Sequence, residues 1–196
     1  MPGPGHRKMV TKMFRSILRF VGNVISGSSP DADPYPSVIL LLDSPREISR
    51  ERVVELANQA WGSEEIQPVV VPGQRKGSWT IRVENAPFGL RVGRHRMHPP
   101  GRETNRTRQR SWDLHRAWIA VDYPQGPDIP ETEWPACFKL IFLMVHQLWD
   151  EHCVGLYIPT EAVTVPNMGD LIASLRWAAN NGTPLPFLHQ AEERGA

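Results

Sequence analysis

Apolar positions along the chain follow two rhythms. "SVILLL" (37–42) is an unbroken apolar run ending at "DSP", the pattern of a buried central strand. "SPREISRERVVELANQAWG" then repeats every three or four residues. Val53, Leu56, Ala57, Ala60 and Trp61 share one stripe, Ser49 or Ser44 is a candidate cap, and Gly62 is the stop. "IQPVVVPG" predicts a second strand, and "SWTIRVE" and "FGLRVGR" predict a hairpin joined across "NAP". "HRAWIAVDY" (115–123) alternates, with Ala117, Ile119 and Val121 on one face and Trp118 and Ala120 on the other. "TEWPACFKLIFLMVHQLWDE" is the most apolar helix. Phe138, Ile141, Phe142, Val145 and Leu148 form its stripe, and Thr132 is a candidate cap. "CVGLYIP" and "AVTVP" predict two further strands. "NMGDLIASLRWAANNG" predicts a last helix, with Asn167 as candidate cap and Gly182 as stop.

This order, βαβββ, loop, βαββα, predicts an α+β domain over residues 37–184, with a tail over 185–196. An antiparallel or mixed sheet with helices mainly on one face is the simplest architecture, and two βαββ-type, ferredoxin-like halves fit the order. Residues 95–111 show no apolar rhythm and read as a long Arg-rich loop. A loop of that length inside a compact domain is functional or disordered.

Ahead of the domain, Met9, Met13, Phe14, Ile17, Leu18, Val21 and Val24 alternate with Lys12, Arg15 and Arg19, a basic amphipathic helix within residues 1–26. The apolar run is too short and too charged to span a membrane, and it makes a poor secretory core. Attachment to an anionic membrane surface, docking on a partner or on the domain itself, and a loosely ordered extension all fit it. "GSSPDADPYP" (27–36) reads as a linker.

Charge changes the picture. The net charge is only +1, but residues 91–116 hold eight arginines and three histidines against Glu103 and Asp113. Residues 117–196 hold ten acids against three bases. Such asymmetry fits an anionic partner, and equally a basic loop lying across its own acidic half. Arg94, Arg96, Arg102, Arg106, Arg108 and Arg110, with Trp112 beside them, are the candidate contacts, because guanidinium forks bind carboxylate or phosphate bidentately. Single-stranded nucleic acid binding needs aromatic platforms as well, and "RETNRTRQR" has none.

The common catalytic signatures are missing. "VVVPGQRKGSW" lacks P-loop spacing and is followed by a strand pattern. No GxSxG elbow occurs. His95 and His98 sit among arginines that oppose a divalent cation, and His146 and His152 lack a zincin face, so no metal and no cofactor is expected. His115 and Asp113 are the weak catalytic candidates, placed on one face of a strand by alternation. They keep open an enzyme acting on a phosphorylated or carboxylated small molecule. Cys137 and Cys153, outside any CxxC pair, read as reduced buried thiols of a cytoplasmic protein, with a mutual disulfide also open.

"VILLLDSPREISRERVVELANQAWG", "LHRAWIAVDYP" and "CVGLYIPTEAVTVP" together resemble a bacterial family known as domain of unknown function 4261, over residues 37–166. The resemblance implies a small cytoplasmic accessory protein with no assigned activity. The sequence reading is therefore a non-enzymatic interaction domain that binds an acidic protein or small anion through the Arg-rich segment. A small-molecule enzyme acting on an anionic substrate near His115, and nucleic-acid or peripheral membrane binding, are the alternatives.

Overall fold

Every residue of Ser37–Leu42 is buried, and this strand, β1, lies at the heart of the sheet. The computed structural model describes residues 35–84, 86–98, 105–124, 130–168 and 171–181. The basic segment with Lys12, Phe14, Arg15, Leu18 and Arg19, the position Arg102 and the tail 185–196 lie outside the described residues. After β1 come α1 (Arg50–Trp61), β2 (Val69–Pro72), β3 (Ser78–Val83), β4 (Ala86–Gly93), α2 (Arg106–Leu114), β5 (Ala117–Asp122), α3 (Trp134–Leu148), β6 (Cys153–Ile158), β7 (Val163–Pro166) and α4 (Leu171–Asn181).

The seven strands form one sheet in the order β2-β3-β4-β5-β1-β6-β7, with every neighbouring pair antiparallel. The fold is α+β. Its two halves do not stand side by side: β1, from the first half, is inserted between β5 and β6 of the second. Both neighbours run antiparallel to β1 and so run parallel to each other. Such a pair needs a crossover rather than a tight turn, and α3 supplies it.

One face of the sheet carries the main core. Val38, Leu40 and Leu42 of β1 join Ala117, Ile119 and Val121 of β5 beneath α1, α3 and α4. Ser49 caps α1 by accepting the Arg52 N–H at 3.2 Å, while Ser44 bonds its neighbour Asp43 instead. Trp61 stacks on Phe88 with ring centroids 4.7 Å apart and donates its indole N–H to the Leu140 carbonyl at 3.0 Å. Two expected caps are corrected. Thr132 lies in a 3-10 turn before α3, whose N-cap is Glu133. Asn167 donates its side-chain amide to the Cys153 carbonyl at 2.7 Å, which ties it to β6 rather than to α4.

The opposite face carries a smaller cluster of Ile39, Leu41, Ala120, Tyr157 and Trp112. Strand β6 shifts its register against β1: Leu41 pairs with Gly155 and Leu42 with Cys153, which leaves Val154 as the extra residue of a bulge. Cys153 and Leu156 therefore reach the same core although they are three positions apart. Gly155 admits α2 closely, since a Cβ there would stand 3.0 Å from Ser111 Oγ and 2.9 Å from the Val165 carbonyl oxygen. Gly155→Ala is expected to lower unfolding free energy by about 1–3 kcal/mol through overpacking, read from urea denaturation. A midpoint equal to wild type would show that α2 yields without cost.

Candidate functional site

Residues 106–111, expected to belong to the long loop over 95–111, form most of the helix α2 (Arg106–Leu114). Periodicity does not reveal it, because Trp112 is its one buried apolar side chain and Leu114 is exposed. Its start is encoded locally: Asn105 Oδ1 accepts the N–H groups of Thr107 at 2.9 Å and Arg108 at 3.1 Å. An Asn ahead of a run of Arg and Gln is the signal that marks such a helix.

Trp112, expected among solvated arginines, is buried and anchors α2 to the second face of the sheet. Its indole N–H donates to Thr164 Oγ1 at 2.8 Å, and its ring meets Tyr157 edge-on at 5.4 Å. Ser111 Oγ donates to the Val154 carbonyl at 3.0 Å. This anchoring fixes where the arginines point. At about 100° per residue, Arg108 lies on the Trp112 side, whereas Arg110 and Arg106 lie roughly 160° and 120° away. Arg108 is accordingly half-buried, and Arg106 and Arg110 are exposed. Neither Arg106 nor Arg110 has an ion pair or a side-chain hydrogen bond among the described residues.

Arg91, Arg94, Arg96 and Arg116 are engaged within the fold. Arg96 Nε donates to the His115 carbonyl at 3.0 Å, and its Nη2 donates to the Asp113 carbonyl. Arg116 Nη1 reaches the same two oxygens at 3.0 and 2.8 Å. Two guanidinium groups thus satisfy the carbonyls where α2 ends and oppose the negative end of its dipole. Arg94 pairs with the exposed Glu47. Arg91 pairs through Nη2 with Asp122 Oδ2 at 2.8 Å, and Ser37 Oγ donates to Asp122 Oδ1 at 2.6 Å. That carboxylate is only 4 % exposed, so this pair, which sequence reasoning did not single out, holds a charge inside the sheet.

His115 and Asp113 do not share a strand face. Asp113 lies in α2 and accepts from Gln109 Nε2 at 2.8 Å, while His115 is the helix's C-cap. The His115 ring is buried, and both of its nitrogens face the backbone: Nδ1 lies 2.6 Å from the Trp112 carbonyl oxygen, and Nε2 accepts the Met97 N–H at 3.0 Å. This fixes the neutral tautomer with the proton on Nδ1. Burial, with the nearby Arg96 and His98, outweighs the two backbone hydrogen bonds and pushes the pKa of His115 down. The ring ties the 96–98 strap to the end of α2 and has no nitrogen left for a substrate.

Other chemistry is weakly provided. Cys137 and Cys153 are free thiols, and burial pushes both up to about 12, so neither is a ready nucleophile. Asp43, Ser44 and His152 meet at the ends of β1 and β6, a grouping absent from the sequence reading because 108 positions separate Ser44 from His152. Ser44 Oγ, at 3.5 Å, and Asp43 Oδ1, at 3.2 Å, approach the same nitrogen, His152 Nδ1. A nucleophilic triad uses both ring nitrogens, so this is not one. Among the described residues no group of three or more His, Cys, Asp and Glu side chains is placed to hold a metal. No helix among them is long and apolar enough to cross a membrane.

Comparison of the chain with protein-family models, with curated proteins and with solved structures yields no match.

The depressed pKa of His115 gives stability a defined pH sign. Unfolded, the ring titrates near its ordinary value of about 6.5. Folded, it resists protonation. Its contribution is therefore full above that value and is lost as pH falls toward the folded pKa. His146, also lowered by burial and by Arg176, adds in the same direction. His115→Gln is expected to cost about 1–3 kcal/mol at neutral pH and to flatten the decline in unfolding free energy between roughly pH 7 and 5. An unchanged slope would show that the ring does not carry it.

Proposed function

We propose that this chain is a non-enzymatic interaction domain that holds an acidic protein segment through the outer face of α2. The observation that carries the reading is the pair Arg106 and Arg110, exposed and one turn apart, with no acid or carbonyl of the described residues engaging them. Arg94 and Arg96, which the sequence places in the same binding set, serve internal contacts instead. Two guanidinium groups at i and i+4 present their forks side by side, a spacing suited to neighbouring carboxylates on an extended acidic segment. An acidic segment is preferred over nucleic acid because Trp112, the aromatic residue that base stacking would need here, is buried beneath the helix. An enzyme centred on His115 is disfavoured by the double engagement of its ring. A cytoplasmic accessory role, as the resemblance to the domain of unknown function 4261 family implies, belongs to the same reading, and the two free buried thiols are in keeping with it.

The test is a fluorescence-anisotropy titration with a labelled Glu/Asp-rich peptide and, separately, a single-stranded oligonucleotide. Wild-type protein is expected to bind the peptide in a salt-sensitive manner. The double variant Arg106→Glu/Arg110→Glu should bind it at least about tenfold more weakly with an unchanged thermal midpoint. Equal peptide binding by the variant, or preferential binding of the oligonucleotide, would defeat the proposal.

A further inference from the structure

A cleft of about 520 Å³ opens beside the first turn of α1, between the turn that joins β2 to β3 and the end of β4. That volume falls within the range of small-molecule sites. Its floor is apolar: Ile48 belongs to the main core, and Trp79 and Val92 pack against it. Its rim is cationic, with Arg46, Arg50, Lys76 and Arg94 against the single carboxylate of Glu47, and His95 also lines it. Local structure sets this rim. Gly77 adopts φ +76, its carbonyl accepts the Val92 N–H at 2.8 Å, and the neighbouring Lys76 is carried to the mouth of the cleft. Gly93 leaves room for Trp118 beneath the wall, since a Cβ there would fall 2.0 Å from the indole ring.

The charges of the rim do not cancel. Glu47 compensates Arg94, and Asp150 compensates Arg46, whose Nη2 also donates to the Leu148 carbonyl at 3.2 Å. The buried Nε of Arg46 has no hydrogen-bond partner. Arg50 donates to a neutral acceptor, the Val70 carbonyl, at 3.3 Å through one Nη. Neither Arg50 nor Lys76 forms an ion pair among the described residues, and Glu51, in the first turn of α1, is an acid whose charge interacts with that of Arg50, so both cations keep donors free above an apolar floor. We infer that the cleft binds a small organic phosphate: a monoester whose dianionic head meets Arg50 and Lys76 and whose apolar or aromatic body lies against Trp79 and Val92. A monoester is largely dianionic at neutral pH, its second pKa being about 6, and so matches two such cations, whereas a monocarboxylate matches one.

The site lies on different elements from the α2 surface, and titration calorimetry separates the two. The probes are phenyl phosphate, benzoate and inorganic phosphate at low ionic strength. Phenyl phosphate is expected to bind at least about tenfold more tightly than either of the others. Lys76→Ala and Arg50→Ala should each weaken it roughly tenfold, and Arg106→Glu/Arg110→Glu should leave it unchanged. Lys76 sits on an exposed turn, so its variant keeps the test decisive if removing Arg50 disturbs the fold. Absence of phenyl phosphate binding at millimolar concentration, or binding indifferent to both Lys76→Ala and Arg50→Ala, would overturn the assignment. So would equal affinity for benzoate or for inorganic phosphate.

Discussion

Burial of β1 on both faces is the constraint from which the rest of the architecture follows. A strand that is apolar at every position needs hydrogen-bonded neighbours on both edges and apolar cover above and below. Strands β5 and β6 supply the edges. Helices α1 and α3 cover Val38, Leu40 and Leu42 on one face. The other face, with Ile39 and Leu41, is covered by Trp112, drawn from the most polar segment of the domain. Once Trp112 is buried, the helical repeat turns Arg106 and Arg110 outward. The exposed cations are a by-product of closing the hydrophobic core.

The basic segment thus divides according to what its surroundings lack. Where α2 ends, carbonyl groups left without partners draw in Arg96, Arg116 and His115. In the sheet, the nearly buried carboxylate of Asp122 holds Arg91, and leaving that charge unpaired would be costly. At the surface, Arg94 and Glu47 pair with both side chains largely solvated, which contributes little to stability. Charge asymmetry along a chain is therefore not a measure of free charge: much of the positive excess in residues 91–116 is consumed in completing the fold.

The strap that leads from β4 toward α2 connects the two surfaces physically. Arg94 and His95 line the cleft, and two residues after Arg94, Arg96 caps the helix that presents Arg106 and Arg110. His115 holds the same strap from the other side through the Met97 N–H. A buried histidine with both nitrogens used is a poor catalyst and a good fastener. The two proposed surfaces consequently lean on elements fixed by backbone hydrogen bonds, with Lys76 on the turn that Gly77 ties to Val92, an arrangement that favours preorganised recognition.

Much of the fold was legible in the sequence. The double-sided apolar run of β1, the stripes of α1 and α3 and the alternation of β5 each follow from a periodicity that burial enforces locally, and each stands where it was read. The Ser49 cap and the Gly62 stop were legible for the same reason, because a helix end must satisfy its own amides and carbonyls. The helix at 106–114 was not, since a single apolar anchor leaves no rhythm, and its reason for folding lies across the sheet at Thr164 and Tyr157. The same holds for the fate of each charge. Composition determined that this chain carries an arginine-rich segment beside an acidic half, but whether a given guanidinium meets a carboxylate, a helix carbonyl or water depends on groups brought near it only by the β5-β1-β6 strand order, and no local pattern encodes that order.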